Sequence, residues 1–172
     1  MPDLLLLRHA KSSWDDASLA DRDRPLADRG RKAARRIGRL LGERGWRPDR
    51  ALVSPARRTQ ETWESIADAL GGKSPPAVTI DTLYMASPSD LLEIIRAKGA
   101  KARRLLVLGH NPGLEEIASW LVAPNSDENA LSRLKEKFPT AGLARFRFDG
   151  PWAALVPAGA RLLEFVRPRD LS

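Results

Sequence analysis

The sequence predicts an α/β fold in which a mostly parallel sheet is covered by helices on both faces. Two observations carry this. Short apolar runs at Leu4–Leu7, Ala51–Val53 and Arg104–Leu108 have the length and composition of strands buried on both faces. Between them lie longer segments whose apolar residues recur at helical spacing, and strands alternating with helices make parallel crossovers. With 172 residues, 42% of them hydrophobic and 30% charged, the chain can fill one core, so a single domain over residues 1–172 is expected.

The elements follow in order. Leu4–Leu7 is a strand ending at Arg8 and His9. After an acidic loop, Asp28 is expected to cap a helix carrying Ala33, Ile37, Leu40 and Leu41 on its apolar face and closed by Gly45. Ala51–Val53 is a second strand, and Ser54-Pro55 supplies an N-cap oxygen and a first-turn proline to a helix that runs to about Leu70, with Trp63, Ile66, Ala67 and Leu70 inward. Gly71–Pro76 is a loop, Ala77–Ile80 a short strand, and Pro88–Ala97 a helix ended by Gly99. Arg104–Leu108 runs straight into Gly109-His110-Asn111-Pro112, where Asn111 is expected to cap a helix reaching about Leu121. Pro124–Pro139 shows no clear period. Leu143–Phe148, Trp152–Val156 and Arg161–Val166 look extended and are expected to add antiparallel strands.

Composition removes several function classes. There is no cysteine, so disulfides, thiolate metal sites and cysteine nucleophiles are out. The opening apolar run is too short for a secretory signal and no stretch approaches the roughly 20 apolar residues of a membrane span, so a soluble, cytoplasmic protein without a membrane partner is expected. Lys plus Arg exceed Asp plus Glu by 29 to 22, for a net charge of +7. Arg31, Lys32, Arg35, Arg36 and Arg39 place much of this on the polar face of one helix, and no basic motif is interleaved with aromatics. A solvated surface therefore explains the charge better than a nucleic-acid partner.

His9 and His110 are the only histidines, and each directly follows the carboxyl end of an apolar strand, where open α/β sheets bind ligands. Neither has a helical histidine partner or a nearby carboxylate pair, so no metal is expected. Arg8 adjoins His9, Arg58 sits in the first turn after the second strand, and His110 precedes a helix start. Guanidinium groups and helix N-termini favour anions, phosphate above all. Each arginine alone is most simply a surface ion pair. Their joint placement at strand ends points to an anion site.

The motifs themselves support this. LLLLRHAKSSW, from Leu4 to Trp14, resembles the Arg-His-Gly signature of the histidine phosphatase superfamily, which also contains the cofactor-dependent phosphoglycerate mutases. SPARRTQET, from Ser54 to Thr62, is similar to its second motif, whose spacing of serine, arginine and threonine selects Arg58 over Arg57; Arg57 lies on the polar stripe, within reach of Glu61. LVLGHNPG, from Leu106 to Gly113, resembles the third and makes His110 the second active-site histidine. Arg24-Pro25-Leu26 resembles the element typical of the short SixA-type phosphohistidine phosphatases, which implies that Arg24 binds phosphate. The resemblance implies a three-layer α/β/α sandwich, phosphoglycerate mutase-like.

It also implies a mechanism: neutral His9 attacks phosphorus, Arg8, Arg24, Arg58 and His110 stabilise the developing charge, and water hydrolyses phospho-His9, with no cofactor. Two departures bear on substrate. Asp15 stands in the region where the mutase branch has a phosphate-binding asparagine, and no glutamate general acid occurs around Leu83-Tyr84-Met85, leaving Asp15, Asp16 or Asp81 as surrogates. A phosphoimidazole leaves more readily than an alcohol, so the expected substrate is a phosphohistidine protein, with a small phosphate ester as the alternative. A basic nucleic-acid module and a non-catalytic phosphohistidine reader are the competing classes. Trp46, Trp63, Trp120 and Trp152 are expected to pack in the core, and Trp14 to lie near the nucleophile loop.

Overall fold

The computed structural model describes residues 2–72 and 74–171. Six strands, β1 (Asp3–Arg8), β2 (Arg50–Val53), β3 (Ala77–Thr79), β4 (Arg104–Gly109), β5 (Leu143–Arg147) and β6 (Arg161–Val166), form one sheet in the order β3-β2-β4-β1-β5-β6. The first four in chain order run parallel to one another, and β5 and β6 are antiparallel additions. Among the described residues five α-helices cover it: α1 (Asp28–Glu43), α2 (Arg57–Ala69), α3 (Pro88–Lys98), α4 (Gly113–Leu121) and α5 (Glu128–Glu136).

Alternation along the strands makes the layers. Leu4 and Leu6 of β1 join Leu105 and Val107 of β4 in a core roofed by α3, α4 and α5, with Phe138, Phe146 and Phe165. Leu5 and Leu7 point the other way and meet Ala51, Val53, Leu106 and Leu108 under α1 and α2. Because both faces are buried, the central strands need no polar alternation, which is why they read as unbroken apolar runs.

Several expected boundaries move. Asp28 is the first residue of α1, not its cap; the cap position is Ala27, without a side-chain bond. Neither Ser54 nor Asn111 caps a helix, since α2 and α4 start later, behind Ala56 and Pro112. Ser54 instead turns toward the end of β4, and Asn111 toward the loop that follows α5, as described below. Residues 128–136 form α5, capped by Asp127, whose side chain accepts from the Ala130 amide. Trp152–Ala154 is a short 3-10 turn rather than a strand; it places Trp152 in the core, its indole N–H donating to the Ala102 carbonyl at 2.9 Å. Trp46 and Trp63 are buried as expected, but Trp120 is 43% exposed.

The amino ends of the central strands are tied by one carboxylate. Asp3 is buried and meets Arg104 of β4 at 3.3 Å and Arg145 and Arg147 of β5 at 3.2 and 3.1 Å. Removing it leaves three guanidinium groups crowded together. Asp3→Ala is expected to lower stability by about 3 kcal/mol, read as a fall in the urea midpoint at unchanged slope. An unmoved midpoint would mean that the arginines relax into solvent without cost.

Candidate active site

The register of β1 on β4 sets the geometry at the opposite end of the sheet. Arg8 pairs with Gly109, so the next residues, His9 and His110, emerge side by side, and the His9 amide still donates to the Gly109 carbonyl at 3.2 Å. Their ring centroids lie 5.4 Å apart, and both residues are buried. On the other side of β4, Val53 of β2 pairs with Leu108, which brings Ser54 beside His110 with Oγ 2.7 Å from Nε2.

Hydrogen bonds fix both tautomers. His9 Nδ1 lies 2.7 Å from the Ala10 carbonyl, which can only accept, so Nδ1 carries the proton and Nε2 keeps its lone pair. His110 Nδ1 faces Arg58 Nη2 at 3.4 Å; the guanidinium can only donate, so the His110 proton sits on Nε2 and is donated to Ser54.

The expected arginines converge here. Arg58 is 4% exposed, whereas Arg57 points outward and pairs with Glu61 at 3.0 Å, as its place on the polar stripe suggested. Arg8 is held by donation from Nη1 to the Phe138 carbonyl at 3.1 Å, and the same carbonyl accepts from Asn111 Nδ2 at 2.9 Å. Arg24 donates to Ser12 Oγ at 2.6 Å and lies against the exposed Trp14 ring, its guanidinium carbon 3.1 Å from the ring centre.

The carboxylate among these cations is one that sequence reasoning missed. Asp21 meets Arg58 at 3.0 Å and Arg24 at 3.2 Å and accepts from the Tyr84 hydroxyl. Its backbone carbonyl also accepts from Arg58 Nη1 at 2.8 Å. The Asp21-Arg22-Asp23-Arg24 run signalled a local ion pair, since Asp21 and Arg24 are three apart, but not the partnership with Arg58 across 37 residues. Asp15 and Asp16 are exposed, the Asp15 amide donating to Ser13 Oγ and the Asp16 carboxylate accepting from Ser18; Asp81 is exposed too, and meets the site only through its backbone carbonyl, which accepts from the Tyr84 amide at 3.2 Å. Tyr84 stands where a glutamate was sought, its ring edge-on to His110 with centroids 5.5 Å apart.

Three close approaches hold the loops. A Cβ at Gly30 would collide with the Lys11 carbonyl, so glycine lets the first turn of α1 pack on the loop that follows β1. A Cβ at Gly113 would likewise strike the Ala86 carbonyl, beyond Tyr84. Thr62 Oγ1 accepts from the Ala10 amide at 3.1 Å and donates to the Arg58 carbonyl at 2.6 Å, linking His9 and Arg58 through one hydroxyl.

Burial is the leading cause that lowers both imidazoles: His9 falls to about 4, with Arg58, Arg8 and Arg24 adding to the effect and the Ala10 carbonyl opposing it. His110 falls to about 3, through burial, then His9 and Arg58, with Asp21 opposing. The Asp21 carboxyl is held below its ordinary value by Tyr84 first, then by Arg58 and Arg24, while burial and Asp21 push the Tyr84 hydroxyl up. At neutral pH the site thus holds two neutral imidazoles, one carboxylate and three guanidinium groups.

The model of the histidine phosphatase superfamily (branch 1) matches residues 4–83, a span that includes His9, Arg24 and Arg58. An uncharacterized protein of Mycobacterium tuberculosis is 38% identical over 164 residues, 95% of this chain and 100% of that one. The Agrobacterium tumefaciens protein designated phosphohistidine phosphatase SixA is 30% identical, with a TM-score of 0.80 over 98% of this chain and 99% of that one. The Nakamurella protein of the same designation is also 30% identical, with a TM-score of 0.81 over 97% and 96%. The chain belongs to the histidine phosphatase superfamily, in its SixA-type branch. It is a phosphatase with the phosphoglycerate mutase-like fold. Among the described residues no helix is long and apolar enough to cross a membrane.

The depressed imidazoles make a stability prediction for this histidine phosphatase. Unfolded, both protonate near 6.5; folded, only near 4 and 3. Between those limits the unfolded chain binds more protons, so their effect is absent above about pH 6.5, destabilises increasingly as pH falls below it, and levels off once pH has passed the folded values near 4 and 3. The double variant His9→Gln, His110→Gln should lose this component. Equal urea-midpoint slopes against pH for the two proteins between pH 6.5 and 4 would refute it.

Proposed function

We propose that the protein is a protein phosphohistidine phosphatase that works through phospho-His9. Arg8, Arg24 and Arg58 are assigned to the phosphoryl oxygens, joined by His110 once its Nε2 proton turns from Ser54 to the phosphoryl group, and His9 Nε2, whose lone pair the Ala10 carbonyl preserves, is the nucleophile. In the first step Nε2 forms a bond to phosphorus as the substrate's P–N bond breaks, its electron pair returning to the departing imidazole. If that ring is already protonated on its second nitrogen, it leaves neutral and takes no proton from the enzyme.

The second step has the same economy. Phospho-His9 retains its Nδ1 proton against the Ala10 carbonyl, so attack by water releases a neutral imidazole and inorganic phosphate. The arginines and the helix start after His110 stabilise charge on the oxygens in both steps.

The observation that carries the substrate class is the state of the acids beside the cradle. Asp21 is held as a carboxylate and Tyr84 has its proton committed to Asp21. Neither is poised to protonate an alkoxide, a service typically worth a hundredfold to ten-thousandfold. A leaving group that needs no proton suits this site; a sugar or glycerate alcohol does not.

Competition of a phosphohistidine protein against a panel of phosphate esters should give the larger kcat/KM to the former. Faster ester turnover would favour the small-molecule phosphomonoesterase reading. His9→Ala should abolish turnover, and acid-labile phosphoryl label should be trapped on His9 in a rapid quench; label elsewhere would overturn the assignment. Arg58→Ala should lower kcat by about a hundredfold to a thousandfold, in line with losses of single oxyanion donors. Finally, with a substrate that does not itself titrate in this range, kcat/KM should stay flat from pH 8 to below 6 and fall only toward the His9 value of about 4. A midpoint near 6.5 would show an imidazole that the site leaves unperturbed.

A further inference from the structure

A cleft of about 680 Å³ opens beside the nucleophile loop without including His9, Arg58 or His110 in its walls. Lys11, Arg29 and Arg36 line one side, and Lys137, Arg167 and Arg169 the other. One acidic residue, Glu136, shares the lining, and it is already engaged by Arg167 at 3.1 Å and Arg169 at 3.6 Å. Arg167 is further neutralised by Asp170 at 2.9 Å.

The remaining cations are not neutralised in this way. On α1, Arg31 pairs with Asp28 and Glu61, and Arg35 with Asp68. Arg29 and Arg36, seven residues apart and so on one helix face, are exposed and form no ion pair among the described residues, nor do Lys11 and Lys137. Four cations held together without counter-ions repel one another, a cost that a bound anionic surface would remove.

The cleft is also physically continuous with the phosphoryl site. Lys11 is two residues from His9, and Arg29 precedes the glycine on which α1 packs against the Lys11 carbonyl. Across the cleft, Pro139 and Thr140 lead into Ala141, whose amide donates to the Arg8 carbonyl at 3.1 Å and the His9 carbonyl at 3.0 Å. Ala141 holds a positive φ of 58° to do so. One wall of the cleft is therefore the strap that seats the nucleophile.

We propose that this cleft is a docking surface for an acidic face of the phosphorylated protein substrate, beside its phosphohistidine. The inference rests on the phosphohistidine reading and adds to it where the partner's charge must lie. The cleft is far larger than one phosphoryl group and stands outside the cradle, so it recognises what surrounds the modified residue. Steering of this kind raises association rates by tenfold to a thousandfold and is screened by salt.

The test uses the full chain carrying R29E and R36E together, with an acidic protein phosphorylated on histidine and, separately, phosphoimidazole. For the phosphoprotein, kcat/KM should fall at least tenfold, through KM, and its dependence on salt should flatten, while phosphoimidazole turnover stays unchanged. R29K with R36K should restore the phosphoprotein rate, and an unaltered melting temperature in both variants separates docking from folding. A phosphoprotein rate that is unaffected by charge reversal overturns the docking surface and leaves the phosphohistidine reading standing. No phosphoprotein turnover by the unaltered enzyme removes both. Salt-sensitive capture of a single-stranded RNA that R29E/R36E abolishes, with phosphoprotein turnover untouched, assigns the cleft to nucleic acid and likewise overturns the proposal.

Discussion

The site exists because two parallel strands are aligned with Arg8 opposite Gly109. Strands in a sheet lie about 4.8 Å apart, so residues that leave neighbouring strands at the same level must meet. That alone brings His9 and His110 to a centroid separation of 5.4 Å across a hundred residues of chain. A slip of one residue would turn each leucine of β1 to the opposite layer, and the two cores would lose Leu4 and Leu6 or Leu5 and Leu7 together. The alignment of the histidines is thus enforced by the packing of the whole sheet.

Electrostatics then decides what the aligned groups can do. The guanidinium groups could be thought sufficient to keep the imidazoles neutral, yet burial is the larger cause at both rings, and the arginines reinforce it. Burying Arg58 beside a neutral histidine would be costly without an anion, and Asp21 provides one from a flanking turn rather than from the sheet. An anion that is bound through a short surface turn can yield to a phosphoryl group. One bound from within the sheet, like Asp3 among its arginines, cannot.

Much of this was legible in the sequence. Arg58 was singled out by the motif spacing of Ser54, Arg58 and Thr62, whereas Arg8, His9 and His110 could be placed together because strand ends, unlike most surface positions, have a place in the fold that an apolar run reveals. The parallel sheet with antiparallel additions was readable for the same reason. What failed was capping: Ser54 and Asn111 have the chemistry of helix caps and stand before prolines, but their side chains meet His110 and the Phe138 carbonyl instead. Local rules cannot see a partner 56 residues away, and a cap is worth only about 1 kcal/mol, less than leaving a buried imidazole N–H unsatisfied. Asp21 was missed because its partner is equally remote. Residues 128–136 were unreadable as a helix because only Ala130 and Leu134 of its nine residues are buried.

The two ends of β1 show how the chain keeps stability and chemistry apart. At the amino end a buried carboxylate is fully occupied by arginines from two neighbouring strands, and nothing there needs to move. At the carboxyl end the cations outnumber the single carboxylate that meets them, and that carboxylate is held from a loop. The surplus positive charge is what gives the site an appetite for a dianion, and it is tolerated because the opposite end locks the strands in place. A histidine phosphatase on this sheet can therefore vary the loops that choose its substrate, such as those carrying Asp21 and Tyr84, while β1 and β4 continue to hold the two imidazoles in register.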